Sequence, residues 1–374
     1  MKNIEELLKA INWDFSASNT RKSIHSIHPY PAKFIPEIPS ALMDILPIKE
    51  NTKILDPFCG SGTTLVEAQK RGIDSVGVDL NPIATLISKV KTTNLPSEFL
   101  YTAEQCITIA KSKKEYEIKY IPNLNHWFKA EIQEALSALI KEIDNVTHVD
   151  VKDALKLALS SIIVRVSNQE SDTRYAAIDK NITKDDVFKL FYNSCKNFQQ
   201  SLAGDLFANS AHSEIINQNI LEVKPEEIKG KIGLVITSPP YPNAYEYWLY
   251  HKYRMFWLGY DPVSVKKKEI GSRSHYFKKN HQTIDDFINQ MDKTLSLLKE
   301  VVVPSGYICF VVGRSKIHGV EYDNGKIIEE LAVENDISVV TVIDRNIAMG
   351  RKSFNLSHAK IKKETIVILQ IKEN

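Results

Sequence analysis

The spacing of apolar positions divides the chain into three stretches. In the first, short apolar runs alternate with amphipathic ones. Residues 53–58, KILDPF, predict a strand ending at a proline. A Gly/Ser/Thr turn follows at 60–64, then a helix, TLVEAQKRG, with Gly72 as its C-cap and Thr63 and Thr64 as capping candidates. Residues 73–79, IDSVGVD, predict a second strand, and Pro82 suits the first turn of a second helix. From about 97 to 205 apolar residues recur every three or four positions and strand signals nearly vanish. KAEIQEALSALIKEI, VKDALKLALSSIIVRVSN and TKDDVFKLFYNSCKNFQQSLAG all predict helices there. Strand signals return at 213–217, 232–237, 306–312, 338–343 and 364–371.

This order predicts an α/β fold, a doubly wound and mostly parallel sheet formed by residues 1–96 and 206–374. A helical insertion, 97–205, interrupts it; insertions that long are usually functional rather than connecting. Of 374 residues, 43% are hydrophobic and 25% charged, which fits a soluble globular protein. No apolar run of about 18 residues suggests a membrane span. The charged start, MKNIEELLKAINWDF, lacks the core of an export signal, so a cytoplasmic protein is expected. Four scattered cysteines without CxxC spacing suit a reducing compartment and offer no metal framework.

The net charge of +2 hides an uneven distribution. Residues 264–280 hold six Lys/Arg against one Glu, and 351–363 hold five Lys/Arg and no acid. Such patches point to a polyanion, or else are solvated loops.

Three segments carry candidate chemistry. In ILDPFCGSGTTLVEA, Asp56, Gly60 and Gly62 stand between a strand and a helix, where glycines let a backbone turn tightly beside a ligand. About 20 residues on, GVDLNP places Asp79 at a strand end, where an acid can accept from ribose hydroxyls. The turn lacks the Gly-Lys-Ser/Thr of a phosphate loop, and Leu65 replaces the third glycine of a dinucleotide fingerprint. A tight turn that binds nothing is the competing reading. In IHPYPAKFIPEI, three prolines in nine residues predict an ordered, non-helical strap, or a plain arm over the sheet.

The third segment is LVITSPPY, 234–241, a buried strand closed by two prolines. Neither proline can donate a main-chain hydrogen bond, so the carbonyls of Ser238 and Pro239 stay fixed as acceptors. That suits a substrate presenting an amine, with Tyr241 as a stacking ring for a base drawn from a helix. A strand-terminating turn is the competing reading. The following PNAYEYWLYHKYRMFW forms either a base-pocket wall or a helix core.

DPFCGSGTT, GVDLNP and TSPPY together resemble the amino-group DNA methyltransferases, clearly over 28–90 and 213–315 and weakly over the insertion. The resemblance implies a Rossmann-like methyltransferase fold and S-adenosyl-L-methionine as cofactor. It places Asp56, Phe58, Cys59, Gly60, Gly62 and Thr63 at the methionine end, Asp79 on the ribose, and Leu80 and Asn81 near the adenine. Tyr30, Lys33 and Phe34 of the strap and Thr237 would join the cofactor site, with Asn219 standing where the family often has an acid. Ser238, Pro239, Pro240 and Tyr241 become the catalytic motif. Ser in its first place is typical of enzymes making N4-methylcytosine, and Asp or Asn of N6-adenine enzymes. An N6-adenine enzyme, an RNA base amino-methyltransferase and an inactive DNA-binding protein on this scaffold are the alternatives.

The implied partner is duplex DNA with the target base flipped, in a system that includes a restriction endonuclease, away from any membrane. Lys266, Lys267, Lys268, Arg273, Lys278, Lys279, Arg351 and Lys352 would then grip phosphates. The polar 165–186 segment would read base edges, or is a loop between helices.

Overall fold

The computed structural model describes residues 3–16, 24–32, 34–113, 117–172, 174–204, 211–243, 245–277, 281–347 and 363–373. Five strands run parallel in the order β5 (Ser213–Asn217), β2 (Ser75–Asp79), β1 (Lys53–Asp56), β6 (Ile232–Thr237) and β7 (Val302–Ile317). β10 (Lys363–Gln370) pairs antiparallel with β7, and β9 (Ser338–Asn346) antiparallel with β10. Every strand of this main path except β10 therefore points the same way, which is the expected mostly parallel α/β sheet. The chain builds outward from β1 through β2 to β5, then crosses to the other side of β1 to form β6. Such a reversal opens a crevice at the carboxyl ends of the strands.

Period-two alternation supplies the two faces. Leu55, Val235, Ile308 and Phe310 face the layer of helices Ile284–Val301 and Asn324–Glu334. Their neighbours Ile54, Leu234, Ile236 and Cys309 face Leu8, Trp13, Ile38 and Leu42 on the opposite side. Central strands buried on both faces read as continuous apolar runs, which is why IGLVIT is apolar throughout but for its last residue.

The insertion contains the helices Phe99–Ser112, Ala130–Asp144, Val149–Val166 and Lys184–Gly204. Their apolar stripes share one core with Ile83, Ile87 and Val90 of the helix Pro82–Lys91 and with Tyr253, Met255 and Trp257. A small hairpin, β3 (Gln169–Ser171) with β4 (Arg174–Ala177), lies where no strand is expected from the sequence. β4 packs only the Tyr175 ring inward, against Trp127 and Tyr253, so it has no buried face to impose an alternating pattern.

Two local expectations are corrected. β7 extends well past 306–312, because its polar end pairs with β8 (Val320–Asp323) instead of a core. Neither Thr63 nor Thr64 caps the helix Thr63–Lys70: Gly62 is the N-cap, and the Thr64 hydroxyl donates to the Ile236 carbonyl at 3.3 Å. Gly72, at φ +70°, follows the C-cap Arg71 in the left-handed conformation usual there.

Candidate active site at the carboxyl edge of the sheet

The cleft opens where β1, β2, β5 and β6 end, and its first wall is the turn after β1. Asp56 is buried; one of its oxygens accepts from the Thr237 hydroxyl at 2.6 Å and from the Phe58 N–H at 3.1 Å. Burial pushes its carboxyl up to about 6, against those hydrogen bonds. Asp79 accepts from the Gly60 N–H at 2.9 Å and the Asn81 N–H at 2.8 Å, one on each oxygen. Burial likewise raises it to about 6. Asp79 thus ties the end of β2 to the turn after β1. Phe58, Cys59, Gly60, Thr63, Leu80, Asn81 and Asn219 all line the cleft. Burial holds the Cys59 thiol protonated. The Asn81 and Asn219 side-chain oxygens cap the turns that follow them, at 3.0 Å from the Ile83 N–H and 3.1 Å from the Leu221 N–H. The Asn81 Nδ2 is buried without a hydrogen-bond partner.

The two glycines of the turn differ. Gly60, at φ +48°, lines the cleft, and a Cβ there would meet the Tyr30 hydroxyl at 3.1 Å. Gly62 does not line it; a Cβ there would stand 2.7 Å from the Ser88 hydroxyl. Its freedom serves the packing of one helix on the next.

The proline-rich strap lies over this turn. Tyr30 and Phe34 line the cleft, and the Tyr30 ring packs on Tyr247 and His251, with centroids 5.8 and 5.4 Å away. His28 Nε2 meets the Ser160 hydroxyl at 3.0 Å, tying the strap to the insertion. Lys33 lies outside the described residues.

The opposite wall is the end of β6. Ser238, Pro239, Pro240 and Tyr241 line the cleft, and the Thr237 hydroxyl latches their strand to Asp56. Among the described residues no loop hydrogen bond ends on the Ser238 or Pro239 carbonyl. Gly271, at φ +71°, backs the segment: a Cβ there would lie 2.8 Å from the Tyr241 carbonyl oxygen. The Asn243 N–H donates to the Gly271 carbonyl at 2.9 Å. The aromatic run that follows divides between its two readings. Tyr245 and Tyr247 line the cleft, whereas Tyr253, Met255 and Trp257 are core.

Three charged lining residues escaped sequence reasoning: Glu269, Arg345 and Glu364. Glu269 is the single acid of the 264–280 basic run, and that isolation was a usable signal. It is buried, and its oxygens accept the Tyr247 and Trp248 N–H groups, each at 2.8 Å. Burial raises it to about 8. The buried Arg345 pairs with one oxygen of Glu364, and the other takes the Tyr241 hydroxyl at 3.2 Å.

Of the basic residues, Lys268 reaches the cleft and pairs with Glu222 at 2.8 Å. Lys266 lies over the Trp248 ring, 4.7 Å from its centroid, and Arg273 over Phe277 at 5.1 Å. Lys267 is exposed. Lys278, Lys279, Arg351 and Lys352 lie outside the described residues. Among the described residues no cluster of His, Cys, Asp and Glu could hold a metal ion, and no helix is long and apolar enough to cross a membrane.

Residues 5–89, which include the strap and the cofactor-side turn, match the N6/N4-type family model described as DNA methylase. The type II methyltransferase M.MvaI of Kocuria varians is 28% identical over 269 residues, 64% of this chain and 59% of that protein. M.BsoBI of Geobacillus stearothermophilus is 25% identical over 283 residues, 67% of this chain and 55% of that protein. M.MjaII of Methanocaldococcus jannaschii is 39% identical over 92 residues, 23% and 17% of the respective chains. The chain therefore spans less than two thirds of the length of these relatives. The chain is thus similar to amino-group DNA methyltransferases, over residues 5–89 in the family model and over part of its length in the type II enzymes, and the similarity implies S-adenosyl-L-methionine as cofactor.

Proposed function

We propose that the chain methylates DNA at an exocyclic amine, N4 of cytosine, using S-adenosyl-L-methionine. One observation carries this reading: a Ser-Pro-Pro-Tyr segment shares one cleft with two strand-end acids, Asp56 buried and Asp79 half-buried. The residues present fit the cofactor. Each oxygen of Asp79 accepts one backbone N–H and keeps a second lone pair for a ribose hydroxyl. The unpartnered Asn81 Nδ2 is a donor on the adenine side. Asp56, Phe58, Gly60 and Thr63 would hold the methionine end under Tyr30 and Phe34. When bound, the cofactor supplies an electrophilic methyl group.

The protein's own task is to present the amine. Its nitrogen is conjugated to the base and a weak nucleophile. The Ser238 and Pro239 carbonyls would accept hydrogen bonds from its two N–H groups and favour a pyramidal nitrogen with an outward lone pair. Catalysis is then positioning and preorganised electrostatics, needing no nucleophilic side chain. Tyr241, Tyr245 and Tyr247 offer faces for a base taken from the helix. Lys266, Lys267 and Arg273 would contact phosphates, which fix register without reading sequence. Ser238 in first place supports cytosine, and the type II relatives support a companion endonuclease.

The test is methylation of mixed-sequence duplex DNA with labelled cofactor, followed by nucleoside digestion and mass identification. N4-methylcytosine is expected, reduced roughly tenfold or more in Tyr241→Ala, the size of a lost base stack. N6-methyladenine would overturn the cytosine assignment and keep the amine chemistry. Label in RNA alone would overturn DNA as substrate.

A further inference from the structure

The motif residue Tyr241 is held from outside its own loop. Its hydroxyl lies 3.2 Å from Glu364 Oε1, against 3.5 Å from both the Ser238 hydroxyl and the Val311 carbonyl. The carboxylate is the nearest acceptor and the charged one, so it takes the phenolic proton. The other oxygen of Glu364 is held by Arg345. The two residues are direct cross-strand partners of β10 and β9, so the sheet fixes their separation. Arg345 cannot swing away cheaply. It is buried, its Nε donates to the Trp13 carbonyl at 2.8 Å, and a second nitrogen lies 3.4 Å from the Asp14 carbonyl. Moving it would strand buried donors.

We infer that Glu364 and Arg345 are positioning residues for methyl transfer, fixing the Tyr241 ring through its hydroxyl so that the Ser-Pro-Pro-Tyr segment meets the base in one orientation. This rests on the proposed amine methylation and adds two residues from the far side of the sheet to its machinery. A fixed ring orientation is felt at methyl transfer, where the stacked base must be held in the reacting geometry, whereas phosphate contacts carry most of DNA binding.

Glu364→Gln is the direct test. Its amide oxygen would turn to Arg345, leaving an NH₂ where Tyr241 needs an acceptor. Methylation of mixed-sequence duplex DNA is measured for the wild type, Glu364→Gln, Tyr241→Phe and the double variant. In Glu364→Gln, kcat is expected to fall about tenfold, the loss of one charge-assisted hydrogen bond, with KM for cofactor and DNA within about twofold. In the Tyr241→Phe background the same change should alter kcat by less than about twofold, since the hydroxyl it acts through is gone. An equal loss in both backgrounds, or one confined to KM, would overturn the inference and leave the proposed function standing. No methyl transfer by the wild type would overturn both. Should Glu364→Gln fail to fold, Glu364→Leu with Arg345→Met replaces the ion pair by apolar groups and is read against the same two backgrounds.

Discussion

Gly62 has φ +75°, and a Cβ on it would lie 2.9 Å from the Ser88 Cα as well as 2.7 Å from its hydroxyl. The first clash is with backbone, so no rotamer relieves it. Gly62→Ala is expected to destabilise the protein by about 1–3 kcal/mol, through strain and overpacking together. The folded fraction should bind cofactor normally, because Gly62 does not line the cleft. Urea unfolding beside cofactor titration checks this; weakened binding at unchanged stability would place Gly62 at the ligand instead. The sequence pattern presents Gly60 and Gly62 as equivalent, and only the neighbouring helix separates them. Asp56 and Asp79 were legible because each stands at a strand end in a fixed relation to the turn. Glu364 was not, because it meets Tyr241 across more than a hundred residues of chain, and Arg345 was not, because it reaches that site only through Glu364; neither carries a local signature.

At the scale of elements, the short helix Tyr247–Tyr250 lacks a side-chain cap of its own. Its leading N–H groups are satisfied by Glu269, more than twenty residues on, so the wall of the cleft and the end of the basic helix Pro262–Lys268 form one unit. Burial raises Glu269 to about 8, so the folded protein holds its proton where the unfolded chain, near 4.5, has lost it. Stability from this group is fully present below about 4.5 and declines as pH rises to about 8. Asp56 and Asp79 act in the same sense but finish near 6. The melting temperature should therefore keep falling between about pH 6 and 8 in the wild type and fall less in Glu269→Gln. Equal slopes in that window would remove Glu269 as the cause. Helices and parallel strands were readable from periodicity, since each buries a defined face. The β3–β4 hairpin was unreadable because its outer strand packs one ring, Tyr175, and no alternating face.

Across the whole molecule, the insertion and the main sheet are joined by polar as well as apolar contacts. Arg254, fully buried, donates to the Ser160 carbonyl of the insertion at 3.1 Å and to the Tyr250 carbonyl of the cleft-side segment at 3.0 Å, and it pairs with Asp172 beside the hairpin. The Tyr175 hydroxyl of β4 donates to the Leu249 carbonyl, a second tie between the hairpin and the same segment. A buried guanidinium stripped of its carboxylate keeps its desolvation cost and loses its compensation, so Asp172→Ala is expected to destabilise by about 3 kcal/mol. The shared core predicts how that loss is distributed. Ile83, Ile87 and Val90 of the cofactor-side helix pack in one cluster with the insertion helices, so the insertion has no separate apolar interior with which to melt alone. Unfolding followed by far-ultraviolet circular dichroism and by tryptophan fluorescence, which samples Trp127, Trp248 and Trp257 in or against that cluster and Trp13 across the sheet, should show one coincident transition displaced to lower urea. Two separated transitions, with only the first displaced by Asp172→Ala, would mean that the insertion folds as a unit of its own and that Arg254 is a local tie, not a brace between the hairpin and the active-site wall.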